Sequence, residues 1–90
     1  MIIAKSEKPD KRLKATFADG KTIHFGAKNG TTYIDGATAD QRKNWIARHR
    51  VRENWNDPRT AGALSRYLLW GDSRSLDKNH SRFLDRFSIR

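Results

Sequence analysis

Apolar and polar residues alternate strictly from Arg12 to Phe17, with Leu13, Ala15 and Phe17 on one face and Arg12, Lys14 and Thr16 on the other. A period of two is the mark of a half-buried strand. The alternation resumes from Thr22 to Phe25 with Ile23 and Phe25 in phase, and Ala18-Asp19-Gly20-Lys21 between the runs is a turn signal. A two-residue Asp-Gly loop opposes Phe17 to Thr22 and splits the apolar faces. A three-residue loop, or a bulge, that pairs Phe17 with Ile23 and Ala15 with Phe25 keeps them together and is the expected register. Gly26 and Asn29-Gly30 break the second strand, and Thr31 to Ile34 reads as a candidate third short strand. Residues 1–11 mix Lys5, Glu7, Lys8, Asp10 and Lys11 with Pro9 and read as an extended arm. Met1, Ile2 and Ile3 are apolar enough to dock from it as a short strand.

The period then changes. Thr38 followed three residues later by Gln41 is a capping box that opens a first helix, in which Trp45, Ile46 and His49 form a narrow apolar face. Glu53-Asn54-Trp55-Asn56 reads as a loop. Asp57-Pro58 predicts the start of a second helix, with Asp57 as N-cap and Pro58 at the first helical position. Ala61, Leu64, Tyr67 and Leu68 recur along it at helical spacing, and Gly71 after Trp70 is a stop signal. Ser73 or Ser75 caps a third helix whose Leu76, His80, Phe83, Leu84 and Phe87 give the clearest amphipathic pattern in the chain. The expected fold class is therefore α+β: an N-terminal β-hairpin packed against three short C-terminal α-helices. The chain reads as one domain, 1–90, divided into an arm (1–11), a hairpin region (12–34) and a three-helix region (38–88). The expected core is Trp45, Trp55, Leu64, Leu68, Trp70, Phe83 and Phe87.

Composition narrows the function classes. The 90 residues carry 19 Lys+Arg against 10 Asp+Glu, a net charge of +9. The excess is spread over the whole chain, so self-repulsion opposes folding and an acidic partner relieves it. No cysteine is present, which excludes disulfides, zinc-thiolate sites and thiol nucleophiles and favours a reducing compartment. Met1-Ile2-Ile3-Ala4-Lys5 is too soon charged to read as a signal peptide, and no apolar run approaches the ~20 residues of a membrane span. No membrane partner is expected.

The candidate chemistry is basic. Arg48, Arg50, Arg52, Arg59 and Arg66 lie around the Trp55 loop, Arg42 and Lys43 lie on the first helix, and Arg74, Lys78, Arg82 and Arg86 recur every four residues towards the end. Guanidinium forks suit phosphate oxygens and carboxylates. These eleven residues are the candidate contacts to a nucleic acid or an acidic protein, against the plainer alternative of a solvated basic surface. Trp55 has two readings, a core plug or one wall of a phosphate site at the second helix N-terminus, and the core reading is preferred because Asp57 would oppose an anion there. His24, His49 and His80 have no ligand spacing, and no serine stands in a nucleophile elbow. No catalytic residue, metal, cofactor or small-molecule substrate is expected. The long turn before the third helix, and its few base-reading side chains, argue against a helix-turn-helix.

The run Arg48-His49-Arg50 … Glu53-Asn54-Trp55-Asn56-Asp57-Pro58 … Thr60-Ala61-Gly62-Ala63-Leu64-Ser65-Arg66-Tyr67 … Leu69-Trp70 resembles a family of small basic proteins. They are encoded by large double-stranded DNA viruses of algae and amoebae and by some related phages. Phe17-Ala18-Asp19-Gly20, Phe25-Gly26-Ala27-Lys28, Arg82-Phe83 and Arg86-Phe87 extend the likeness over roughly 12–87. Between Asn29 and Asp40 the chain departs from the family pattern, with Gly36-Ala37-Thr38-Ala39-Asp40 in place of an aromatic stretch and a His-Lys-Asp. The resemblance implies a viral origin and a virion or DNA-packaging context, and names no reaction. The two expectations that follow are a minor capsid or cement protein, located in the virion and in the infected host cell, whose partner is a capsid protein or double-stranded DNA, and an accessory protein that binds nucleic acid without reading sequence.

Overall fold

The structure is a computed structural model that describes residues 1–89. Three antiparallel strands, β1 (Ile2–Lys5), β2 (Lys11–Thr16) and β3 (Thr22–Ala27), form a meander in the order β1-β2-β3. A 3-10 turn (Tyr33–Asp35) leads to α1 (Ala39–His49), then α2 (Ala61–Leu64), which continues as a π-helical segment (Ser65–Leu69), and finally α3 (Leu76–Arg86). The fold is α+β.

The sheet has three strands because the arm supplies one. Ile3 pairs with Ala15 and Lys5 with Leu13, so the first residues extend the hairpin. At the strand's start the Met1 carbonyl accepts a hydrogen bond from His80 Nε2 of α3 at 3.2 Å. The candidate strand at Thr31 to Ile34 is instead the capped 3-10 turn. Asp35 Oδ2 accepts from the Thr32 amide at 2.9 Å and the Thr32 hydroxyl at 2.7 Å, which curls a segment of high strand propensity.

The hairpin register also differs from expectation. Leu13 pairs with Phe25, Ala15 with Ile23 and Thr16 with Thr22, not Phe17 with Ile23. The loop is Ala18-Asp19-Gly20: the Phe17 amide donates to the Lys21 carbonyl and the Gly20 amide to the Phe17 carbonyl, both at 2.9 Å. Gly20 closes it at φ +90°, a conformation that a side chain resists. The shift is by two residues, so the parity of the strands is kept and their apolar residues still share a face.

Ala15, Phe17, Phe25, Ala37, Leu64, Leu68, Leu69, Trp70 and Phe83 form the core. Burying a side chain such as Phe25 or Phe83 contributes roughly 1.5–3 kcal/mol. The π-helical segment runs through the middle of this cluster, and the Trp70 amide reaches back five residues to the Ser65 carbonyl at 3.0 Å. Leu68, Leu69 and Trp70 are consecutive and all buried. β3 covers one side of this element and α3 another.

Two further expectations are corrected. The second helix begins at Thr60, not Asp57. The Thr60 hydroxyl accepts from the Ala63 amide at 3.1 Å as N-cap, while Asp57 Oδ1 accepts from the Arg59 amide and closes a separate turn. Trp55 is half-buried, outside the central cluster, because its indole N–H is held at the surface by Glu53 Oε1 at 2.9 Å. Trp45 and Phe87 are half-buried but pack against the core.

Candidate functional site

Helix α1 is capped as its sequence dictates: the Gln41 amide donates to the Thr38 hydroxyl and the Thr38 amide to the Gln41 side chain. None of its residues is fully buried. Three features hold it to the body. Trp45 stacks between His49 and Trp70, with ring centroids 4.0 and 5.1 Å away. Arg42 Nε donates to the Trp70 and Gly71 carbonyls at 3.2 and 3.0 Å, and its Nη2 pairs with Asp72 at 2.7 Å. His49 Nδ1 meets Glu53 Oε2 at 2.7 Å, and Glu53 also holds Trp55, so the chain after α1 is bracketed to the helix end.

This anchorage leaves a cationic outer face. Lys43, Arg48, Arg50 and Arg52 are exposed, and none is in an ion pair among the described residues. Glu53, the acid nearest the three arginines in sequence, is engaged by His49 and Trp55, and Asp40 lies one turn before Lys43 without pairing to it. Val51, between Arg50 and Arg52, is 79% exposed.

The other sequence candidates divide. Arg42, Arg59 and Arg74 are occupied in the fold, and among the described residues Arg66 is occupied at Nη1 only. Arg59 pairs with Asp19 at 2.7 Å and lies over the Phe17 ring. Arg74 donates to the Tyr33 and Ala37 carbonyls at 3.1 and 2.9 Å, rests on the Tyr33 ring, and joins the 3-10 turn to the start of α3. It precedes α3, so it does not continue the Lys78, Arg82, Arg86 row. Those three are exposed on α3. Arg66 is half-buried against Trp55 and Tyr67 and donates to the Trp70 carbonyl at 3.0 Å. Burial, and then the neighbouring charge of Arg42, lower its affinity for its proton.

A cleft of about 740 Å³ opens between the ends of β2 and β3, α1 and α2, walled by Trp45, Trp70 and Leu69. Nothing in the sequence marks it, because its walls come from separated segments. Lys11 and Arg48 at this cleft are balanced by Asp10 and Glu53. The charged side chains lining the cleft come close to cancelling. Among the described residues no group of three or more His, Cys, Asp or Glu could hold a metal ion, and no helix is long and apolar enough to cross a membrane.

Comparison with known proteins gives two findings. The sequence model of a family of unknown function, DUF5754, matches residues 1–49, which span the sheet and α1. The chain is also similar to uncharacterized protein L851 of Acanthamoeba polyphaga mimivirus, 33% identical over 78 residues, an alignment that covers 76% of this chain and 78% of the relative. The tryptophan-containing run from Arg48 to Trp70 lies almost wholly outside the family match. No solved structure matches.

Proposed function

Since the chain belongs to the DUF5754 family of unknown function and has a mimivirus relative, we propose that it is a non-enzymatic viral protein that docks on double-stranded DNA without reading its sequence, as a minor structural component of the virion. The observation that carries this reading is the group of exposed cations without carboxylate partners at Lys43 and Arg48 on α1 and at Arg50 and Arg52 in the turn that follows it. Unpartnered guanidinium groups lose little by leaving each other for phosphates, and each phosphate contact releases condensed counterions. The His49–Glu53 pair is the nearest thing to an acid–base couple in the cleft, and it braces the end of α1.

The test is binding of a mixed-sequence duplex across a salt series. Affinity should fall steeply with salt and be indifferent to sequence. Replacing Arg48, Arg50 and Arg52 together by glutamine should flatten the log–log salt slope by about 0.9 for each phosphate contact removed. No binding at low salt, or an unchanged slope in the variant, rejects the reading. Val51 supports a second reading, in which the same face packs on an acidic capsid surface: an exposed apolar side chain between arginines suits a protein partner better than a phosphate backbone. Mass spectrometry of purified particles separates a virion component from a protein confined to the infected cell.

A further inference from the structure

A second cationic feature lies where α3 meets the π-helical segment. A notch of about 30 Å³ there is lined by Arg66, Arg82, Arg86 and one acid, Asp72. Asp72 is held by Arg42 Nη2, so the three arginines have no carboxylate of their own. The guanidinium carbons of Arg66 and Arg86 lie 5.1 and 4.4 Å from the centre of the same Tyr67 ring, which fixes both beside the notch. Tyr67 is itself braced edge-on by Phe87, at 5.7 Å between ring centroids. Arg66 Nη1 is satisfied by the Trp70 carbonyl, but its Nε is buried without a hydrogen-bond partner, a costly state for a cationic donor. An aromatic floor, three neighbouring cations and one unpartnered buried N–H are the parts an oxyanion site needs. The size decides between ligands: the notch has room for the oxygens of one small group and none for a sugar or a base.

We propose that the Arg66–Arg82–Arg86 notch binds a single phosphoryl group, with Arg66 Nε–H as the inner donor and Arg82 and Arg86 closing over its outer oxygens. The site is separate from the outer face of α1, and it orients whatever carries the phosphate towards α3. A backbone phosphate of a nucleic acid and a free inorganic phosphate offer the same chemistry.

The experiment follows the Arg66 Nε–H resonance by ¹⁵N NMR, together with tryptophan fluorescence, because Arg66 lies over the Trp55 ring. Inorganic phosphate, titrated at constant ionic strength against chloride, should shift the resonance saturably and slow its exchange with solvent. An Arg82→Gln/Arg86→Gln double variant replaces exposed residues and so should fold normally. Its phosphate affinity should be weaker by about tenfold or more for each charge-assisted hydrogen bond lost. A duplex without terminal phosphates that produces the same shift identifies the backbone as source. A response to inorganic phosphate alone identifies a free anion. A resonance that moves no further with any phosphate than with chloride, or that responds identically in the double variant, overturns the proposal and leaves Arg66 Nε–H as a hydrated group. Neutralising Arg48, Arg50 and Arg52 should leave the response intact, so failure of the α1 reading and failure of this one are told apart.

Discussion

Asn79 ties three backbone groups together with one amide. Its Nδ2 donates to the Leu68 and Ser73 carbonyls at 3.0 and 2.7 Å, and its Oδ1 accepts from the Ser73 amide at 3.1 Å. It is 1% exposed, and its bond to the Leu68 carbonyl is fully buried, so that carbonyl has no water as a substitute. Asn79→Ala should therefore cost about 2–4 kcal/mol, from lost bonds and orphaned groups together, read as a lower urea midpoint at unchanged slope. Asp35 gives a prediction in pH. Its carboxylate is gripped by the Arg12 guanidinium, in part at 2.6 Å, and by Thr32, and Arg12 first among these holds its pKa well below the ordinary 3.8. A carboxyl whose folded-state pKa is depressed stabilises the fold above its unfolded pKa and loses that contribution as pH falls through the folded one. The pair is partly exposed, with side-chain accessibilities of 25% and 30%, so solvent screening limits it to about 1 kcal/mol. Asp35→Asn should be less stable than the wild type at pH 7, and the gap should close as the pH is lowered below about 4. A gap that stays constant across that range removes the linkage.

At the scale of elements, α1 is the lightly held piece. Replacing Trp45 by alanine removes the ring that stacks on both His49 and Trp70. Amides of α1 should then exchange at least about tenfold faster while those of β2 and α3 keep their protection, because the helix opens locally without unfolding the core. Uniform acceleration throughout the chain would mean that α1 is part of the global unit. Thr60→Ala should cost about 1 kcal/mol through loss of the α2 cap, whereas Asp57→Ala should cost clearly less if the helix starts where it is seen. Why Asp57-Pro58 misleads is local: an N-cap followed by proline is also what a turn uses, and the hydroxyl of Thr60 decides between them three residues on. Alternation in β2 and β3, the Thr38 box of α1 and the apolar row of α3 are read from neighbouring residues and need no tertiary context. The π-helical segment is set by contacts with distant elements, so the pattern of the chain does not contain it; the Thr32–Asp35 curl is local but hidden behind high strand propensity, and the apolar Met1–Ile3 start signals the docking strand without its partner or register. The candidate site is legible to the same extent. Lys43, Arg48, Arg50 and Arg52 stand out as cations and remain so, but Arg42 and Arg74 look identical in sequence and are bound to backbone carbonyls.

Over the whole molecule a charge of +9 is left after every carboxylate is counted, and only four surface pairs of Lys or Arg with a carboxylate form among the described residues. Exposed pairs are worth little each, and the unbalanced repulsion is long-ranged, so salt screens the cost more than the gain. Raising chloride from tens of millimolar to several hundred should raise the thermal midpoint. Each ~1 kcal/mol of relieved repulsion corresponds to roughly 4–8 °C in a domain of this size, and a midpoint that falls with chloride would show that the pairs dominate. The same scale exposes what the composition of the core entails. Ala15, Phe17, Phe25 and Ala37 come from the first half of the chain, and Leu64, Leu68, Leu69, Trp70 and Phe83 from the second. During synthesis the sheet leaves the ribosome with nothing to lie on. Its apolar face stays bare until the segment from Leu64 to Phe83 has followed it out, and in that interval an acidic surface that captures the basic α1 segment would reach it before its own core does.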